Sequence, residues 1–155
     1  MTRTVGDILR IDLGDGRHSY AQVSTDPLVI FFDYASSVDL GLREICKLPV
    51  AFKVHVFHDD LKRGVWERIG NCQLNGDQLE HPLMFIQDSL SGRLFLYHPD
   101  FAESNFERPA TLDECRGLKL ASVWQTTQIE DRLRDHFEGL ENKWVNSMAI
   151  QESKV

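Results

Sequence analysis

The chain has no apolar run approaching the ~20 residues that a membrane-spanning helix needs; its longest is Leu28 to Phe32. A transmembrane helix is therefore excluded. Basic clusters are missing too. Lys62-Arg63 is the longest basic run, and it follows Asp59-Asp60. The 155 residues carry 24 acidic against 17 basic side chains, a formal charge of −7. An average field of that sign repels a phosphate backbone, so nucleic acid is not an expected partner, nor is a membrane. The opening MTRTVGDIL lacks the apolar core of a signal peptide, which predicts no export. Cysteine is sparse: Cys46, Cys72 and Cys115 are odd in number, widely spaced and without a C-x-x-C pair. That predicts reduced thiols in a cytoplasmic setting, with neither a disulfide nor a zinc framework. Internal repeats, low-complexity tracts and linkers are absent as well.

What is present is an ordinary globular composition, 42% apolar and 26% charged, in a length that suits one domain, residues 1–155. Its nucleus is Val5 to Tyr34. Ile8 to Leu13 alternates, with Leu9, Ile11 and Leu13 on one face and Arg10 and Asp12 on the other. Gly14-Asp15-Gly16 supplies the positive-φ positions of a tight reversal. Arg17 to Ser24 returns as a half-exposed strand anchored by Tyr20 and Val23. After a break at Asp26-Pro27, Leu28 to Phe32 is apolar on both faces and predicts a central, doubly covered strand.

Farther on, Asp39 to Lys47 predicts a short helix. Phe52 to Phe57 alternates as a strand, and His58 to Gly64 reads as one helical turn ended by glycine. Met84 to Gln87 and Arg93 to Tyr97 flank a five-residue, Gly-ended loop, a hairpin signal. Pro99 to Pro109 reads as a polar surface loop with Phe101 and Phe106 tacked down. Thr111 with Glu114 is a capping box ahead of a short helix. Thr127 with Glu130 repeats the device and opens a long amphipathic helix, about residues 127–145, whose stripe is Ile129, Leu133, Phe137 and Leu140, extended by Trp144. Met148 to Val155 reads as a frayed tail. The predicted fold is α+β, mainly antiparallel β, an SH3-like or partly open barrel or curved sheet. Its β-rich core spans about residues 5–100, a loop and short helix follow to about 122, and the C-terminal helix packs on the sheet.

Chemistry is hard to find. His55 and His58 lie beside Asp59 and Asp60, but on a strand a spacing of three sends two imidazoles to opposite faces, whereas metal ligands converge. The residues read as two surface histidines beside a capping aspartate. The cysteines lie in no strained or Gly-rich turn that would activate a thiolate, and read as structural. Gly14-Asp15-Gly16 leads into a strand, so it cradles no phosphate. His98-Pro99-Asp100 and Asp33 have no second carboxylate at a catalytic spacing. Phe95 and Tyr97 have only Arg93 beside them and read as core, as do Trp66, Trp124 and Trp144. No catalytic residue, cofactor or metal is expected.

Several blocks together nevertheless resemble a known family. They are GDILRIDLGDGRHSYAQV followed by VIFFDY, FKVHVF running into HDDLKRGVWERIG, the SGRLFLY hairpin arm, and TLDECRGLKLASVWQTTQIEDRL. Trp66 to Gly70 and Val123-Trp124 carry more of the specificity than the Gly-Asp and Asp-Gly turns. In this order, from about Val5 to Leu140, they are similar to the immunity protein 26 family of bacterial polymorphic toxin systems. The resemblance implies a small, mostly-β cytoplasmic protein that neutralises a toxin by stoichiometric contact. It brings no catalytic residues with it. A nuclease toxin is often basic, and an acidic inhibitor then associates fast by electrostatic steering. The candidate contacts are Asp131, Asp135 and Glu138 on the long helix and the acids Asp59 and Asp60. Two other readings stand beside this one: a small β-barrel module for a peptide or nucleic acid, and an enzyme whose site is assembled from distant residues. An exposed strand edge would also permit a homodimer.

Overall fold

A computed structural model describes residues 3–25 and 28–155, without the side chain of Asp77. The expected break at Asp26-Pro27 lies outside the described residues. Strands β1 (Asp7–Asp12), β2 (His18–Val23) and β3 (Leu28–Phe32) come first, as their patterning predicts. Helix α1 (Leu42–Ile45), strand β4 (Val50–Val56), helix α2 (His58–Lys62) and strand β5 (Glu67–Asn71) follow. The hairpin of β6 (Met84–Gln87) and β7 (Leu94–Tyr97) precedes β8 (Glu107–Ala110), α3 (Leu112–Cys115), β9 (Lys119–Leu120) and β10 (Val123–Trp124). Helices α4 (Thr126–Glu138) and α5 (Lys143–Ser147) come last.

The chain divides into two compact units, Met1–Leu79 with Val123–Asn142, and Glu80–Ser122 with Lys143–Val155. The first holds a six-stranded sheet in the order β10-β4-β3-β2-β1-β5, the second a four-stranded sheet in the order β8-β7-β6-β9. Every pairing is antiparallel except β10 with β4 and β6 with β9. The fold is thus α+β and mainly antiparallel, as expected. Neither sheet closes, so the open-sheet form of the expectation is the one found.

In the first unit the even-numbered residues of β1 to β3 share a face. Ile8, Tyr20, Ile30 and Phe32 pack there with Ile45 and Leu74. The opposite face carries Leu9, Ile11, Ala21, Val29 and Phe31, all buried. Phe31 stacks on Phe52, ring centroids 5.0 Å apart, and meets Trp66 edge-on at 5.7 Å. Helix α4 is tied to this side. Glu130 accepts from the Trp66 indole at 3.0 Å, Arg134 Nη1 donates to the Leu13 carbonyl at 2.7 Å, and Ile129 and Leu133 are fully buried.

Four expectations in this unit need correction. Strand β2 is buried along its whole length, not half-exposed, because loop carbonyls take the donors of Ser19 and Gln22, although Gln22 Oε1 is left buried without a partner. Ser19 Oγ donates to the Tyr34 carbonyl at 2.6 Å, and Gln22 Nε2 to the Cys72 carbonyl at 2.9 Å. His55 is buried too, not a surface residue. Helix α4 opens at Thr126, with Gln125 and Gln128 forming the capping box, and stops at Glu138 because Gly139 turns left-handed at φ 71°. Leu140 is consequently exposed and Trp144 lies in α5 of the other unit. Finally, Cys46 and Cys72 are joined in a disulfide with Cα atoms 6.5 Å apart. The turn after α1 meets the end of β5 there, a proximity that 26 residues of separation conceal. The expected free thiols reduce to Cys115, buried and with its pKa pushed up by burial and then by Glu114.

Gly6 seats this junction. It sits at φ 93°, donates to the Val23 carbonyl at 2.8 Å and accepts from the Cys72 amide at 2.9 Å, and a Cβ there would run into the Cys72 carbonyl. Gly6→Ala is expected to cost roughly 2–3 kcal/mol, read as a lowered thermal midpoint. Gly117→Ala, at φ 80° with open space around it, should cost only the added backbone strain, about 1 kcal/mol.

The second unit packs Phe85, Leu94, Leu96 and Cys115 with Phe101, Leu112, Leu120 and Ile150 around them. The hairpin forms as expected, and Thr111 caps α3 with Glu114. Residues 107–109 of the expected loop, with Ala110 after them, instead make edge strand β8, where Pro109 is tolerated because a sheet edge needs no donor. Phe101 is held under the Arg108 guanidinium at 4.1 Å, while Phe106 is exposed. The tail is fastened, not frayed: Gln151 donates its N–H to Gln87 Oε1 at 2.9 Å and accepts from Gln87 Nε2 at 3.0 Å.

Candidate functional site

Spacings of four and three residues along α4 put Asp131, Asp135 and Glu138 on one stripe of the helix. Each has a local partner. Asp131 accepts from Arg134 Nη2 at 2.7 Å, Asp135 from Asn142 Nδ2 at 2.9 Å, and Glu138 from Arg17 Nη2 at 3.5 Å. Asp59 is exposed in the first turn of α2.

Asp60 does not belong with them. Only 5% exposed, it accepts from the Thr126 amide at 3.0 Å and the Thr126 hydroxyl at 3.3 Å, and pairs with Arg63. It is the cap on the N-terminus of α4, satisfying one of the donors that every helix start leaves open. Burial raises its pKa, but the bonds from Thr126 and Arg63 outweigh that and hold the carboxyl below its ordinary value. Residue type alone groups Asp60 with Asp59; the fold separates them.

Sequence reasoning also missed acids that join the stripe. Arg17 bridges Glu138 to Asp15, donating to Asp15 Oδ2 at 2.6 Å, so the β1–β2 turn lies against the C-terminal end of α4. Its hydrogen bonds to Asp15 hold that exposed carboxyl below the usual range. Asp33, at the end of β3, meets His136 Nε2 at 2.8 Å. Asp15 and Asp33 thus join Asp131, Asp135 and Glu138 around α4, while Asp59 lies apart in α2, next in sequence to the residue that caps α4. No spacing in the chain could have announced that a hairpin turn sits beside a helix 120 residues later.

A second polar cluster was missed altogether. Register places Arg10 opposite Tyr20 and Asp12 opposite His18. Arg10 Nη2 lies 3.2 Å from His18 Nδ1, and His18 Nε2 lies 2.9 Å from the Tyr20 hydroxyl and 3.1 Å from Asp39 Oδ1. A guanidinium only donates, so Nδ1 accepts and Nε2 carries the ring proton toward Asp39. The Leu40 amide donates to the Tyr20 hydroxyl at 3.1 Å. Burial, and then Asp39, raise the Tyr20 pKa despite that bond. Of this cluster, Arg10, Tyr20 and Asp39 line a groove of about 520 Å³ with Leu40, Leu42, Glu67 and Ile69, along edge strand β5. These groups are spent on one another, and Ser19, the hydroxyl nearest in sequence, donates to a carbonyl. The arrangement orders the groove wall and leaves no activated nucleophile among them. Among the described residues, no group of three His, Cys, Asp or Glu side chains converges as a metal site, and no helix is long and apolar enough to cross a membrane.

Residues 4–96, more than half of the chain, match the family model described as Immunity protein 26. The chain belongs to the immunity protein 26 family. No curated protein and no solved structure matches it. An immunity protein 26 member implies a toxin as the class of partner, and a binding role of the kind such families generally have. The match takes in β1 to β6 and ends at Leu96 within β7, so the groove lies inside it. The acid-bearing α4 lies beyond it.

Proposed function

We propose that this protein neutralises a bacterial polymorphic toxin in the cytoplasm by stoichiometric binding, without catalysis or cofactor, through the acidic surface of α4 and α2. The observation that carries the reading is the stripe Asp131, Asp135 and Glu138, in a chain of formal charge −7 that belongs to an immunity family. A basic toxin, such as a nuclease built to hold phosphate, meets a complementary potential there, and the long-range field raises the encounter rate. The test is co-expression with the toxin domain encoded beside the gene. Restored growth and a 1:1 complex that weakens from about 0.05 to 0.5 M salt, as the Debye length shortens roughly threefold, are expected. Growth arrest and no complex would overturn the reading for that pair.

The groove along β5 favours one other reading. Its apolar side chains Leu40, Leu42 and Ile69 beside an unpaired sheet edge suit an extended peptide, while Asp39 and Glu67 disfavour a nucleic acid. Peptide-array binding that Ile69→Lys abolishes, without any rescue from toxin, would put that reading first.

A further inference from the structure

Arg132 stands apart from the other arginines of its unit. Arg3 donates to the carbonyls of Leu61 and Trp66, and Arg10, Arg17, Arg63, Arg68 and Arg134 each reach a carboxylate. Arg43 is exposed to solvent. Arg132 is half-buried, its guanidinium carbon 3.6 Å from the centroid of Phe52 and 5.0 Å from that of Trp124. Among the described residues nothing accepts a hydrogen bond from its guanidinium, although acidic side chains outnumber basic ones.

Geometry says what this cation is prepared for. The rings take the face of the guanidinium, so its N–H groups, which lie in the plane, remain for another molecule. Phe52 is itself backed by Phe31, which meets Trp66, whose indole is held by Glu130. The guanidinium therefore rests on a rigid aromatic stack and loses little freedom on pairing. Burial without a counter-charge lowers its pKa to about 10. The neighbouring groups one turn away on α4 are already engaged, Asp135 with Asn142 and His136 with Asp33.

We propose that Arg132 is a carboxylate-binding anchor, taking the side chain of an Asp or Glu of the bound toxin in a bidentate pair. The inference rests on the immunity reading for its partner, but on the Arg132 stack for its chemistry. It adds to the acidic stripe a contact of opposite sign. Stacked, partly desolvated arginines are the kind of residue that dominates protein interfaces.

The test compares wild type, Arg132→Lys and Arg132→Met in binding to the adjacent toxin domain. Removing one partner of a desolvated charge pair should weaken binding roughly 30-fold or more, chiefly through the off-rate. Lysine should restore only a minor part, lacking the planar fork. Both variants should melt within about 4 °C of wild type, since no counter-ion is stranded by the change. A wild-type complex that both variants match within threefold overturns the anchor and leaves the immunity reading standing. If the wild type binds no toxin, that reading fails for the pair, and the anchor is judged alone by the Arg132 Nε–Hε resonance of the free protein. Movement with sodium acetate, but not with sodium chloride at equal ionic strength, supports it. A response to inorganic phosphate alone, or to none of the three, overturns it.

Discussion

Replacing Asp60 with alanine is expected to cost the first unit about 3 kcal/mol while leaving the acidic stripe of α4 in place. The change strands the amide and hydroxyl of Thr126, both buried, at the start of a 13-residue helix. Loss of an N-cap costs ~0.5–2 kcal/mol, and a buried donor left without a partner roughly 1–3. Arg63 adds little, because its side chain is 69% exposed and is resolvated. Asp60→Asn keeps an acceptor for the amide and should cost about 1 kcal/mol, so the pair of variants separates capping from charge. The sign of the pH dependence follows from the lowered pKa. Unfolding returns the carboxyl to its ordinary value near 3.8, where it binds a proton more readily than in the folded chain. Its contribution is present above pH 3.8 and is lost as the pH falls below that through the folded value. The difference in denaturant stability between wild type and Asp60→Asn should therefore be constant from pH 7 to 5 and shrink below 3.8. A gap independent of pH down to 2.5 would mean that Asp60 acts as a neutral cap.

That residue also shows where a sequence stops being informative. The first three strands were legible because their evidence is local: alternation in β1, an apolar run in β3, and glycines at the turn between β1 and β2. The β6–β7 hairpin and the Thr111 cap are local in the same sense. Strand β2 misled because His18, Ser19 and Gln22 look solvated until Arg10, Tyr34 and Cys72 arrive as partners from other segments. Helix α4 misled at its start because a Ser/Thr-x-x-Glu pattern occurs at Thr127, yet Glu130 is drawn off to the Trp66 indole and Gln128 closes the box instead. Strands β9 and β10 have two residues each, too few for any period, and exist because the parallel neighbours β6 and β4 receive them. Of the candidate site, the stripe on α4 was legible from helical spacing, and Asp60 was not. Nor was the unpaired state of Arg132, since a sequence shows that a charge is present without showing what faces it.

Reversing Asp59, Asp131 and Glu138 to lysine and changing Asp135 to asparagine is expected to slow association with a basic toxin 10- to 100-fold at low salt. Asp135 is treated differently because the amide of Asn142, a buried residue, depends on its oxygen, and asparagine retains an acceptor. Asp60 is left alone because its loss would unfold the helix start and mimic a binding defect. The other partners, Arg17 and Arg134, keep Asp15 and the Leu13 carbonyl, so folding should survive with a change of about 1 kcal/mol per pair at most. The discriminating quantity is the rate constant, not the affinity. A steering surface acts before contact, so the variant's deficit should fade as salt rises toward 1 M, where the Debye length is ~3 Å, with little change in the off-rate. Arg132→Met should show the opposite pattern, a faster off-rate with a nearly unchanged on-rate and salt slope. Unaltered association and an unaltered salt slope would make the stripe a solvated helix face, and would move the search for the toxin contact to the groove along β5. A loss confined to the off-rate would instead mean that these carboxylates are desolvated in the complex and act as anchors beside Arg132.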